Sequence, residues 1–76
     1  MKDKILVQNE GDTVHGYVNK GGHYTNAITL YVDKKISVGS SMCLPTNADE
    51  AKDILICYVK AFSMADELLK SKTTEI

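Results

Sequence analysis

A chain of 76 residues and 8.4 kDa is sized for one domain, since so short a chain buries only about 60% of the surface its unfolded form exposes. That excludes a large enzyme with a deep cleft, and 43% hydrophobic with 25% charged residues excludes the low-apolar, high-charge balance of a disordered chain. Nine lysines against ten acidic residues leave a net charge of -1, so charge neither draws the chain to phosphate backbones nor repels it from them.

The elements follow in chain order. Ile5-Leu6-Val7 opens a first strand over about 4–9, closed by the Gly- and Asx-rich stretch to Asp12. Period-two alternation predicts a second strand over 13–19, with Val14, Gly16 and Val18 on one face and Thr13, His15, Tyr17 and Asn19 on the other. Lys20-Gly21-Gly22-His23 then reads as a flexible loop. The strongest strand signal spans 25–32, where Ile28, Leu30 and Val32 face one way and Ala27, Thr29 and Tyr31 the other. A three-residue loop at Asp33, Lys34 and Lys35 would set Val32 against Ile36 and Leu30 against Val38 in a fourth strand over 36–40. This register is expected to bury the apolar side chains together, with Lys35 in the left-handed conformation such loops require.

Pro45 blocks further extension, and Thr46-Asn47 followed by Asp49 and Glu50 has capping-box spacing, so a helix is expected over about 47–70. At 100° per residue, Ile54, Leu55, Tyr58, Ala61, Phe62, Ala65, Leu68 and Leu69 make an apolar stripe, with Cys57 and Met64 on its flank. Residues 71–76 are expected to fray. The reading is an α+β domain over 1–76, an antiparallel four-strand meander packed on one long C-terminal helix.

Two surfaces are candidates for binding. Ile56 and Val59 fall outside the helix stripe, and a helix of about 23 residues, roughly 35 Å, would overhang strands of about 20 to 27 Å. Both features favour a homodimer or higher oligomer with Ile56 and Val59 as its contact. On the sheet, His15 and Tyr17 of one strand and Thr29 and Tyr31 of another form a polar-aromatic patch of the kind enriched at binding hot spots.

Catalytic and metal chemistry find little support. His15, His23, Cys43 and Cys57 lack the close Cys or His pairs of zinc sites, so no metal and no cofactor are expected. Nothing in the spacing demands that Cys43 and His23 act as a nucleophile and base, so the chain is read as a non-enzyme. The absence of arginine argues against sequence-specific nucleic-acid reading, and a lysine-only composition also fits an AT-rich coding sequence. With no signal-peptide pattern at Met1-Lys2-Asp3-Lys4-Ile5 and no run of roughly 20 apolar residues, a cytoplasmic protein without a membrane segment is expected.

In its size, lysine-only composition and meander-plus-helix architecture, the chain resembles small phage-encoded inhibitors of host defence or host machinery, including some anti-CRISPR proteins. The resemblance is architectural and matches no family motif. It implies a binding protein that occupies a surface of a larger host protein, in the host cytoplasm. The alternative reading is an oligomer that sequesters a small ligand, possibly a nucleotide, with Lys20, Gly21, Gly22 and His23 closing on it. A third is a sheet-based nucleic-acid regulator.

Overall fold

The computed structural model describes residues 4–40 and 44–73. Four strands, β1 (Ile5–Glu10), β2 (Thr13–Lys20), β3 (His23–Val32) and β4 (Ile36–Ser40), form one antiparallel sheet in the order β1-β2-β3-β4, followed by the helix α1 (Ala48–Thr73). The meander and the α+β class are as expected.

The first two hairpins turn over two residues each. At Gly21 and Gly22, φ values of 59° and 90° are those of a type I′ turn, whose twist matches the flanking strands. Asn19 Oδ1 accepts the Gly22 N–H at 2.9 Å and closes it. The expected flexible loop is therefore a tight turn, with Lys20 paired directly to His23, and β3 begins two residues earlier than anticipated. At the other end, Asn9 Nδ2 donates to the carbonyls of Gly11 and Thr13, both at 3.1 Å, which carries β1 through to Glu10. The third connection keeps the anticipated register, Val32 opposite Ile36 and Leu30 opposite Val38. Lys35 does not adopt a left-handed conformation, however, because among the described residues only glycines have positive φ. Instead, the Asp33 N–H donates to the Lys35 carbonyl at 3.0 Å.

A β-bulge decides which side chains reach the core. Gly16 opposes Ile28 and Tyr17 opposes Asn26, so Ala27 is the extra residue. Ala27 and Ile28 are consequently both buried, and Ala27 joins Val18, Ile54 and Cys57 in the core instead of lying on the outer face. The larger cluster is Val14, Ile28, Leu30, Val32, Ala61 and Ala65.

Close approach of helix and sheet fixes the buried face of α1. A Cβ on Gly16 would come within 2.7 Å of Cys57 Sγ and 3.0 Å of Ile28 Cγ2, so the glycine is what lets the helix settle there. The contact line runs through Ile54, Cys57, Ala61 and Ala65, rotated toward Cys57 from the anticipated stripe. Leu55, 63% exposed, and Phe62, at 36%, are therefore turned out of the core. The helix packs mainly on β2, β3 and β1 and leaves β4 largely uncovered. Val38 is accordingly 56% exposed, against the expectation that its register would bury it.

Both ends of α1 are tied to the sheet. Asn47 caps it, its Oδ1 accepting the Glu50 N–H at 2.9 Å, while Glu50 Oε1 accepts from the Thr46 N–H at 3.0 Å and hydroxyl at 2.8 Å. Lys20 adds an ion pair to Glu50 at 3.4 Å. At the far end Lys72 donates to the Val32 carbonyl at 3.0 Å and pairs with Asp12. Residues 71–73 thus belong to the helix instead of a frayed end, and 74–76 lie outside the described residues. At 26 residues, about 39 Å, α1 is longer than β3 at ten residues, about 33 Å, and is tied to the sheet near both of its ends.

Candidate interaction face

Residues paired across an antiparallel ladder share a face, so the register builds the outer sheet surface row by row. Leu6, Tyr17 and Asn26 make one row. Gln8, His15, Thr29 and Ser40 make the next, and Glu10, Thr13, Tyr31 and Ser37 the third. The four residues singled out from the alternation, His15, Tyr17, Thr29 and Tyr31, all lie on this face.

A polar chain crosses its centre. His15 Nε2 lies 3.2 Å from Glu10 Oε2, and Nδ1 lies 3.4 Å from Thr29 Oγ1. The Thr29 hydroxyl donates to Asn26 Oδ1 at 3.3 Å, which continues the line of contacts from His15 to Asn26. Asn26 Nδ2 then donates to the Gly16 and Ile28 carbonyls at 3.3 and 3.2 Å, satisfying oxygens at the bulge. Thr29 is buried beneath this network although it points away from the helix. The network holds His15 in place, and the His15 and Tyr17 rings lie 6.2 Å apart with an interplanar angle of 30°.

Tyr31 is presented differently. It is 53% exposed and its ring lies across Gly39 of β4, where a Cβ would overlap the ring. Aromatic cover over a strand glycine is a known way of compensating for its missing side chain. Tyr17 and Tyr31 thus flank the His15–Thr29 centre from opposite sides, one beside the imidazole and one turned toward β4.

Glu10 and Asn26 belong to this face and were not among the residues picked from sequence. Asn26 carried a usable signal, because asparagine is disfavoured within a strand and often marks an irregularity. Glu10 carried none, since its place depends on how the first hairpin closes.

The other candidate residues are distributed elsewhere. Lys20 and His23 are opposed on the helix side of the sheet, and the Lys20 ammonium is engaged by Glu50 and lies 3.5 Å from the Leu44 carbonyl. Gly21 and Gly22 form the turn beyond them. The pKa of Glu50 is lowered from its ordinary value, because the Thr46 hydroxyl and N–H donate to the carboxylate and Lys20 lies alongside. Ile56 is 36% exposed and Val59 is 66% exposed on the back of the helix. Of the potential metal ligands, His15 and His23 occupy opposite sheet faces and Cys57 is buried under the helix with its thiol 3.8 Å from the Tyr17 carbonyl. Cys43 lies outside the described residues. No three metal-ligating side chains converge among the described residues. No helix among them is long and apolar enough to cross a membrane.

Comparison with protein-family models, with curated proteins and with solved structures finds no match to this chain.

Proposed function

We propose that this chain is a non-enzymatic binding protein that uses the outer face of its sheet to occupy a surface of a larger protein, as do the small phage-encoded inhibitors it resembles. One observation carries the reading: side chains on that face are held in place by the face itself. The imidazole of His15 sits between Glu10 and Thr29, whose hydroxyl is itself bonded to Asn26, and Gly39 makes room for the Tyr31 ring. Fixed aromatic groups lose little conformational freedom on association, which favours affinity. Tyrosine contributes a broad apolar ring and a hydroxyl that can bond across the contact.

The test is retention of a partner by the wild-type chain and by Tyr17→Ala/Tyr31→Ala, immobilised at equal density against extract of the source cell. Hot-spot truncation costs about 2 kcal/mol or more, so a partner held by the outer face should be depleted at least about tenfold by the double substitution. Equal retention would reject the outer face as the contact.

A further inference from the structure

The back of α1 carries a pattern that the fold does not use. Leu55, Ile56, Val59 and Phe62 are exposed near the helix centre, and two turns to either side of Val59 stand Lys52 and Asp66, also exposed. On a wheel of 100° per residue, Lys52 and Asp66 lie 20° to either side of Val59, so the three form one line along the helix. The lysine–carboxylate pairs among the described residues join Lys4 with Asp53, Lys20 with Glu50 and Lys72 with Asp12, and Lys52 and Asp66 stand exposed on the back of the helix.

This line is self-complementary. In an antiparallel helix pair with a two-fold axis at Val59, residues equally far before and after Val59 meet across the contact. Val59 meets its own copy, Ile56 meets Phe62, and Leu55 meets the small Ser63. One turn further out, Lys52 meets Asp66, and the symmetry makes that pair twice. Seven-residue spacing of Lys52, Val59 and Asp66 is also what keeps a seam facing its partner in a left-handed helix pair. A parallel pair would instead set Lys52 against Lys52 and Asp66 against Asp66.

We infer that the occupant of this surface is a second copy of the chain, in an antiparallel two-fold dimer centred on Val59 with reciprocal Lys52–Asp66 pairs. The charge complementarity singles out the copy and its orientation, and apolar residues at the centre supply the burial. The dimer puts its two sheets on the outside, so both outer faces stay open. It does not depend on what those faces bind.

The experiment measures mass by sedimentation equilibrium for the full chain and for Lys52→Asp, Asp66→Lys and the double variant, with circular dichroism to verify the fold. The wild type should show a mass twice 8.4 kDa. Either single swap creates two like-charge contacts and should weaken dimerisation by at least about tenfold, and the double swap should restore it. High salt should reduce these differences. Val59→Lys should give a folded monomer. A wild type that stays monomeric at millimolar concentration, a dimer indifferent to Val59→Lys, or a double swap no better than the single ones would overturn the inference.

Discussion

Glu50 shows how one side chain can close two separate parts of the chain. Its carboxylate accepts two hydrogen bonds from Thr46, which fixes the approach to the helix, and faces Lys20, which fixes the end of β2 beneath it. These contacts favour the charged form and lower its pKa from the ordinary value. A carboxylate whose folded pKa is depressed contributes stability above its unfolded pKa and loses that contribution as pH falls through the folded value. The stability difference between wild type and Glu50→Gln should therefore be largest near neutral pH and shrink as pH falls through and below the ordinary glutamate pKa. Denaturant titrations across that range check it, and a difference that does not vary with pH would contradict the contact. At the same scale, Tyr31 and Gly39 form a pair that alternation alone cannot show. The sequence marks Tyr31 as outward-facing, but only the one-residue shift between Thr29 and Leu30 brings Gly39 beneath its ring.

At the scale of elements, the decisive contact is the approach of α1 to β2. Gly16, Cys57, Ala61 and Ala65 are small, and their smallness sets both the depth of the helix and its rotation about its own axis. Gly16→Ala would push a methyl group against Cys57 and Ile28, and overpacking of this kind costs about 1–3 kcal/mol. Such a loss should lower the melting temperature by about 4–8 °C per kcal/mol in a domain of this size, as read by thermal unfolding. Gly16→Ala as stable as the wild type would mean that helix and sheet are not in such close contact. This contact also explains where sequence reading succeeded and where it fell short. The strand segments, the register of the third hairpin and the helix start follow from local signals, alternation and the Thr46-Asn47 capping pattern. Strand order does not, because a meander is only the default connection and the Gly21-Gly22 turn reads as a flexible loop. The buried face of the helix does not, because a hydrophobic stripe weights Leu55 and Phe62 above Cys57 and Ala61, whereas packing selected the smaller pair. The bulge at Ala27 was likewise invisible to a strict period of two. The outer face was legible in His15, Tyr17, Thr29 and Tyr31, and the polar support from Glu10 and Asn26 was not.

For the whole molecule, the layers assign different work to different surfaces. The inner face of the sheet and one side of α1 make the core, the back of α1 carries the Lys52–Val59–Asp66 line, and the outer sheet face presents Tyr17, His15 and Tyr31. A dimer formed through the helices would display two copies of that face, and binding to a partner with two matching surfaces would gain avidity from the linkage. On the proposed reading, the outer face is where a larger protein binds. The most direct measurement of this is site-specific photocrosslinking in the source cell, with a photoreactive residue at Ser37, an exposed neighbour of Tyr31 on the outer face, and separately at Ser63 on the back of the helix. The expected result is an adduct with one larger protein from Ser37 and an adduct with a second copy of the chain from Ser63. A larger protein captured from Ser63 and none from Ser37 would contradict the assignment and place the binding surface on the helix.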